Sequence, residues 1–361
     1  MSSSALSGHR ATLPRVIDWV VDGAMRAMDS AILWQLGSIG VATSDEADFP
    51  PVDPTDFWRD ARLDPPLDIR VITELGRRLD GTVRSFDVEG ESHGPGVHPG
   101  STKFIARAHL RDRDPDAPFV LVLHGYGVPS AFYEEAHCRT LNRAGASAVR
   151  LDNPWHLRRR ARGQRSGAGF MTADPRRLLA SAKQAVEDAA AVVAWGRTLS
   201  SRVSVVGVSL GGLIACLLAA QVELDSVVAV APFCDPSYTL INNLPSNLRR
   251  QLGLTGTRFG VWGEDRESAV KSLEGALAPV ICRNFTHPAT SPERIALVCP
   301  SNDLVVGPQP IIELARAWGT EMWDERHSHI SILRDRALTT RIDSWLLADH
   351  PAREVPAAGA R

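Results

Sequence analysis

The 361-residue sequence predicts an α/β fold in which a mainly parallel central sheet carries helices on both faces. From about residue 80 to 347, apolar runs of strand length alternate with helical stretches, which is typical of such a sheet. The run 119–123 (FVLVL) is apolar at every position, as expected of a strand buried on both faces. With 44% hydrophobic and 23% charged residues, the composition is that of an ordinary globular protein.

The predicted elements follow in chain order. Two β-like runs separated by a Gly/Pro/His-rich turn indicate a hairpin, and the Ala-rich stretch 176–199 favours a long helix. The predicted strands are 82–88, 102–110, 119–123, 146–151, 202–206, 226–230, 295–299 and 321–324. The predicted helices are 131–143, 176–199, 211–221, 309–318 and 330–347.

The regions outside this alternation define the predicted domain organisation. Residues 1–79 are interpreted as an N-terminal extension, with an amphipathic helix within 16–42 and a proline-broken loop, 43–68, that wraps the core. The main domain spans 80–348 and a loose tail 349–361. Residues 232–292 lose the alternation and are predicted to form a cap-like or lid-like insertion after the sixth strand.

Charge and cysteine usage exclude several classes of protein. The net charge of -2 argues against a strongly basic nucleic-acid binder. The five cysteines are dispersed and none forms a Cys-x-x-Cys pair, so we expect buried free thiols rather than a zinc cluster or a disulfide framework. The first residues lack an apolar signal region, which favours a cytoplasmic location. Acidic and basic residues interrupt the stretch 16–42, so we expect it to pack on the main domain, with membrane-surface attachment as the weaker alternative.

One motif carries specific chemistry. Residues 207–211 (GVSLG) read Gly-x-Ser-x-Gly and lie between a β-run and an apolar helix, which is the context of a nucleophile elbow. Glycine on both sides lets the strand and the helix approach closely around a strained serine. The sequence therefore predicts Ser209 as a nucleophile, against the alternative of a structural Gly/Ser turn.

The loop after the strand 119–123 is the predicted partner of this serine. It begins with His124 and Gly125, and the backbone N–H of Tyr126 is expected to join that of Leu210 as an oxyanion hole. The alternative is an ordinary turn at the end of a strand. His124 is further assigned to substrate binding.

An acid and a base are expected after later strands. Asp303 follows the strand 295–299 and is preferred as the acid over Asp235, which follows the strand 226–230. His329, which is preceded by the small Ser328, is preferred as the base over His327. The order Ser209, Asp303, His329 is the Ser…Asp…His order of one class of hydrolases.

Together these motifs resemble those of a known superfamily. From about residue 80 to 347 the chain resembles the α/β-hydrolase superfamily, on the runs HGYG, GVSLGG, PSNDLVV and HSHIS. More narrowly, the run LDNPWH with arginines after it is similar to the family called alpha/beta hydrolase domain-containing protein 18. The resemblance implies an α/β-hydrolase fold and carries the nucleophile, acid and base to Ser209, Asp303 and His329. Ser328 departs from the superfamily, where a glycine usually precedes the histidine.

The stretch 157–165 holds five arginines in nine positions. The simpler interpretation is a solvated loop, or one paired with acidic groups of the protein. The alternative is that Arg158, Arg159 and Arg160 bind a substrate carboxylate or phosphate, because guanidinium groups bind such anions bidentately.

The sequence thus predicts a serine hydrolase without metal or organic cofactor that cleaves an ester-like bond of a small-molecule or lipid acyl ester. A thioesterase, an amidase or an acyltransferase would use the same parts. A catalytically silent hydrolase fold that serves as a binding or scaffold module is the alternative from another class, and the full set of triad residue types argues against it.

Overall fold

The computed structural model describes residues 49–65, 68–77, 82–94, 102–111, 114, 116–172, 174–243 and 265–350, with Gly23, Met25, Ala27, Asp29 and Ser30. The strands in these ranges are β1 (Arg70–Arg77), β2 (Val83–Glu91), β3 (Lys103–Arg111), β4 (Phe119–Leu123), β5 (Ser147–Asp152), β6 (Val203–Val208), β7 (Ser226–Val230), β8 (Ile295–Pro300) and β9 (Glu321–Glu325). They form one sheet with the order β1-β2-β3-β5-β4-β6-β7-β8-β9.

The sheet is antiparallel at one edge and parallel over the rest. Strands β1, β2, β3 and β5 pair antiparallel in that order. Every pair from β5–β4 to β8–β9 is parallel. The predictions of a mainly parallel sheet and of the β2–β3 hairpin are therefore confirmed. Because β4 and β6 lie at the middle, the loops that follow them meet at the carboxyl edge of the sheet.

Helices cover both faces. They are α1 (Pro54–Trp58), α2 (Phe132–Arg143), α3 (Pro175–Leu199), α4 (Leu210–Gln221), α5 (Pro236–Asn242), α6 (Arg266–Leu277), α7 (Gln309–Trp318) and α8 (Arg336–Leu347). Alternate side chains of the central strands point to opposite faces, so Leu121 and Val205 pack with α3 and α4 while Val120 and Val206 pack with α2 and α8. Two apolar cores thus hold the sheet between its helices.

The sheet begins earlier than predicted. Strand β1 lies within the segment predicted as an extension, so the sheet starts at Arg70 rather than near residue 80, and the insertion follows the seventh strand instead of the sixth. Val71, Ile72 and Leu75 of β1 are exposed, and two register irregularities interrupt its pairing with β2. An edge strand that gains backbone hydrogen bonds without burying side chains leaves no alternating pattern in the sequence.

The C-terminal helix begins later than predicted. Residues 331–334 form a 3₁₀ turn, and α8 starts at Arg336 after Asp335, whose carboxylate accepts a hydrogen bond from the Leu338 N–H at 3.0 Å. Asp335 is the N-cap, which sequence periodicity alone does not distinguish from a first helical turn.

Several predicted segments lie partly or wholly outside the described residues: the termini 1–12 and 351–361, most of the helix within 16–42, and 244–264 of the insertion. The described residues between 23 and 30 are helical, with Met25 and Asp29 buried. All five cysteines are buried and free, as predicted. Within the described ranges, no helix has the length and apolar character needed to cross a membrane.

Candidate active site

Ser209 occupies the turn from β6 into α4. Its φ of 55° and ψ of -111° are unusual for a residue with a side chain, and such conformations cost about 1–3 kcal/mol. Backbone hydrogen bonds hold the turn from both sides: the Ser209 N–H donates to the Val230 carbonyl at 2.9 Å, and the Ser209 carbonyl accepts from the Phe233 N–H at 3.0 Å. The strand-to-helix turn expected of an elbow is therefore present, with the strain at the serine.

The glycines that flank Ser209 are required by close backbone approaches. A Cβ on Gly207 would lie 2.1 Å from the Gly211 carbonyl oxygen, and a Cβ on Gly211 would lie 2.2 Å from the Leu123 carbonyl oxygen. The second contact joins the start of α4 to the end of β4. Glycine at these positions therefore lets the loop after β4 approach Ser209.

The structure brings Asp303 and His329 together. The Nδ1–H of His329 donates to Oδ2 of Asp303 at 2.7 Å, and both side chains are almost fully buried. The other oxygen of Asp303 accepts from the Val305 and Val306 N–H groups at 2.7 and 2.9 Å. These three donors fix the carboxylate, which in turn fixes the orientation and the tautomer of the imidazole.

The two alternative residues are engaged elsewhere. Asp235 caps α5 through the Tyr238 N–H at 3.0 Å and pairs with Arg283. His327 contacts the Ser331 hydroxyl at 3.1 Å and Asp335 at 2.8 Å. Of the two histidines, only His329 is among the residues that line the cleft with Ser209.

The electrostatics of His329 favour its protonated form. Burial disfavours the imidazolium, but the charge of Asp303, its hydrogen bond and the charge of a second carboxylate, Asp29, together raise the pKa of His329 above its ordinary value of 6.5. A base with such a pKa readily accepts a proton from a hydroxyl.

The loop after β4 lies against the serine. A Cβ placed on Gly125 would be 3.6 Å from the Ser209 Cβ, and both Gly125 and Tyr126 line the same cleft as Ser209. Leu210 is the first residue of α4, so its N–H is one of the unpaired donors of a helix start. The two backbone donors predicted for an oxyanion hole thus belong to segments that meet beside Ser209.

His124 is buried behind this loop and does not line the cleft. Its Nδ1–H donates to the Gly125 carbonyl at 2.8 Å, and its Nε2 accepts from the Asn153 N–H at 3.0 Å. Burial lowers the pKa of His124, so the ring stays neutral as this pattern requires. The Gly125 carbonyl and the Tyr126 N–H belong to one peptide group, so the His124 ring holds that peptide from behind the loop and does not itself line the cleft.

The arginine stretch divides into two groups. Arg159 is fully buried, pairs with Asp188 at 2.7 Å and also donates to the Ser92 hydroxyl at 2.9 Å. Arg158 pairs with Asp152 at 2.6 Å and with Asp87 at 2.8 Å. Arg160 lines the cleft, where its guanidinium donates to the Leu157 carbonyl. Internal pairing accounts for Arg158 and Arg159, and only Arg160 of the three faces the space beside Ser209.

Ser209 and His329 open into one cleft of about 1210 Å³. Its floor is formed by Val122, Val206 and Val230 of the central strands, and its walls come from α2 and α8. The His137 ring on α2 bonds Asp343 on α8 at 2.7 Å and lies along the same space. Within the described ranges, no group of three or more His, Cys, Asp or Glu side chains is arranged to hold a metal ion.

Asp29, from the N-terminal segment, also belongs to this site, and the sequence did not single it out. Its carboxylate is fully buried and accepts from the backbone N–H groups of Leu304, His329 and Ile330. The only signal in the sequence is an acidic residue that interrupts an apolar helical stretch, which by itself indicates an amphipathic helix.

Comparison with known proteins agrees with the fold. A family model described as serine aminopeptidase, S33, matches residues 114–277, a stretch that contains Ser209 but ends before Asp303 and His329. Among curated proteins, no relative matches the sequence.

Two solved structures are similar over most of the chain. An acetyl xylan esterase from Paenibacillus sp. R4 is 14% identical, with a TM-score of 0.57 over 86% of this chain and 98% of that one. Acetyl xylan esterase 1 from Thermoanaerobacterium sp. JW/SL YS485 is 16% identical, with a TM-score of 0.59 over 83% of this chain and 96% of that one. The chain has the α/β-hydrolase fold, and the family match supports a serine hydrolase.

Proposed function

We propose that the protein hydrolyses an ester-like acyl bond through a triad of Ser209, His329 and Asp303 and a covalent acyl-enzyme. The observation that carries this proposal is the buried 2.7 Å hydrogen bond from His329 to Asp303 at the edge of the cleft that also contains Ser209. Because Nδ1 of His329 is committed to Asp303, its Nε2 is left to accept the serine proton.

In this proposal a named residue acts in each step of the hydrolysis. The Ser209 oxygen forms a bond to the acyl carbon while His329 accepts the serine proton, and the N–H groups of Tyr126 and Leu210 stabilise the oxyanion. His329 passes the proton to the leaving oxygen as the bond to the alcohol breaks. Water then attacks the acyl-enzyme by the same route, and Ser209 regains its proton. Asp303 stabilises the imidazolium throughout.

A serine-directed fluorophosphonate probe tests the nucleophile. The wild-type protein is expected to be labelled, and Ser209→Ala is expected to lose both labelling and ester turnover while it stays folded. Ser204→Ala is the matched control, because Ser204 is a buried serine of β6, the strand that leads to Ser209, and its hydroxyl donates to the Leu346 carbonyl. Labelling of Ser209→Ala at the wild-type level would show that another residue is the nucleophile.

The cleft favours a substrate with a large apolar group. Its volume of about 1210 Å³ exceeds the 300–1,000 Å³ usual for small-molecule sites, and valines from three adjacent strands form its floor. Each methylene moved from water into an apolar site contributes about 0.8 kcal/mol, or about fourfold in affinity. We therefore propose that a lipid-like ester fits this site better than an acetyl ester.

A series of p-nitrophenyl esters with two to sixteen acyl carbons tests the substrate class. We expect kcat/KM to rise with chain length until the cleft is filled. Ala136→Trp, on the α2 wall of the cleft, is expected to reduce turnover of the long esters and to spare the acetyl ester. Ala337→Trp on the exposed side of α8 is the matched control. Equal turnover at every chain length would argue against an apolar substrate.

An amide substrate is the specific alternative, because the matched family model is named for serine aminopeptidases. Aminopeptidase chemistry uses the same nucleophile, so the two are separated by the substrate alone. Hydrolysis of aminoacyl p-nitroanilides in preference to esters of similar size would favour the amidase.

A further inference from the structure

Asp29 links the N-terminal segment to the two loops that carry the proposed acid and base. One carboxylate oxygen accepts from the Leu304 N–H at 3.0 Å and from the His329 N–H at 3.0 Å. The other accepts from the Ile330 N–H at 3.1 Å. Leu304 directly follows Asp303, so a single side chain bridges the backbone beside the acid and the backbone of the base.

The placement of Asp29 is not that of a surface acid. Its side chain is fully buried, and no lysine or arginine of the described part of the chain pairs with it. A buried carboxylate is costly unless several donors satisfy it, and here three backbone N–H groups do so. Ionised oxygens accept such bonds about twice as strongly as neutral ones.

We infer that Asp29 is a positioning residue for the proposed triad: it holds the Asp303 loop and the His329 loop in register and adds a negative charge behind the imidazole. Asp29 would then be part of the active site, although it lies far before the other site residues in the sequence. This inference rests on the proposed function for its effect on turnover, but the geometry around Asp29 is independent of it.

The charge gives a signature that a purely structural residue lacks. Two carboxylates, Asp303 and Asp29, act on the imidazole of His329, and both stabilise the imidazolium. The cleft in front of His329 also holds charged or titratable side chains at Glu134, His137, Arg160, Arg165, Arg334, Arg336 and Asp343. Removing the charge of Asp29 alone lowers the pKa of His329, so the acidic limb of the kcat/KM profile moves to lower pH.

The test is Asp29→Asn, which keeps the shape and removes the charge. We expect kcat to fall on the order of 10- to 100-fold, as for small displacements of catalytic groups, and the acidic limb to move to lower pH. Asp29→Glu keeps the charge with a longer side chain, so kcat is expected to fall while the limb stays near its wild-type position. Asp265→Asn is the control, because Asp265 caps α6 through the Ser268 N–H and does not line the cleft.

Nuclear magnetic resonance titration of the His329 ring, assigned with His329→Gln, reads the charge effect without turnover. A wild-type protein that lacks esterase activity would refute the proposed function, whereas wild-type kcat and an unmoved His329 titration in Asp29→Asn would refute this inference. If Asp29→Asn does not fold, Asp29→Glu decides: a reduced kcat in the folded variant supports the positioning role, and wild-type kcat overturns it.

Discussion

His329 and Asp303 lie on loops 26 residues apart, yet the imidazole Nδ1 and the carboxylate Oδ2 are separated by 2.7 Å, and both side chains are almost fully buried. Asp303 follows β8 and His329 follows β9, and these two strands are parallel neighbours. Parallel pairing brings the carboxyl ends of both strands to one edge of the sheet. The sheet topology therefore sets the contact, and the loops only refine it.

Asparagine substitutions at Asp303 and at Asp235 are expected to differ in their effect on turnover. In Asp303→Asn the amide oxygen keeps the Val305 and Val306 N–H groups, and the NH2 that faces His329 can only donate. The Nδ1–H of His329 then loses its acceptor, so we expect kcat to fall by about 10²- to 10⁴-fold. Asp235→Asn removes a partner of Arg283 and weakens the α5 cap, so we expect reduced stability with kcat near the wild-type value. Paired kcat and thermal unfolding measurements test this, and the reverse pattern would assign the acid to Asp235.

The pH profile follows from the raised pKa of His329. The base acts in its neutral form, so kcat/KM rises as the pH rises through that pKa. Because Asp303 and Asp29 together outweigh burial and raise the pKa, we expect the midpoint of the acidic limb above 6.5, the ordinary value for histidine. A kcat/KM profile between pH 5 and 9 measures it. A midpoint below 6.5 would mean that burial dominates over both carboxylates.

The local parts of the site could be predicted from the sequence because short motifs encode them. The elbow around Ser209 depends on glycines at fixed positions, and the close contacts of Gly207 and Gly211 explain why. Strands β4 to β8 follow from mainly apolar runs, because almost every residue of those strands is buried. Asp303 and His329 could be named as candidates because each follows a predicted strand.

The remaining parts depend on contacts between distant residues. Asp29 lies 300 residues from His329 in the sequence, and nothing near either residue indicates that they meet. The pairing of Arg159 with Asp188 and the place of His124 behind the loop after β4 are likewise tertiary contacts. Strand β1 gave no signal because its apolar side chains face solvent. The residue type alone does not show whether a polar side chain binds a substrate or a buried partner in the protein.

His124 is expected to affect turnover through the loop after β4, which carries the proposed oxyanion donor Tyr126. His124→Gln removes the ring that ties the Gly125 carbonyl to the Asn153 N–H, so the Tyr126 N–H loses its fixed direction. Removing one oxyanion donor costs about 10²- to 10³-fold in kcat, and misdirecting it is expected to cost about 10-fold. Fluorophosphonate labelling of Ser209 should persist. A kcat equal to that of wild type would show that other contacts hold the loop.

Alanine substitutions at Gly211 and Gly125 are expected to differ in their effects on stability and on turnover. Gly211→Ala would place a Cβ 2.2 Å from a backbone oxygen that cannot move aside, so we expect a loss of about 3 kcal/mol or more in the free energy of unfolding. Gly125→Ala would meet the Ser209 Cβ at 3.6 Å, an ordinary contact, so its stability should stay within about 0.5 kcal/mol of wild type while its kcat falls. Urea unfolding and kcat measurements compare the two. Equal stability would contradict the close approach of α4 to β4.

Substitutions in the arginine stretch are expected to have different effects, according to whether the arginine pairs with an acid of the protein or faces the cleft. Arg159→Gln leaves Asp188 buried without its ion pair, which typically costs about 3–5 kcal/mol, so stability should fall while the ratio of anionic to neutral ester turnover stays unchanged. Arg160→Gln should leave stability intact and lower kcat/KM for an anionic ester about 10-fold more than for a neutral ester of equal acyl length.

Arg162→Gln is the matched control for Arg160, because Arg162 is exposed in the same stretch and does not line the cleft. Since Arg160 is exposed as well, salt screens its charge, and the difference between the two esters should shrink as ionic strength rises. The measurement is kcat/KM for both esters at low and high salt. Equal losses on the two esters, or none in Arg160→Gln, would leave the stretch with a purely structural role.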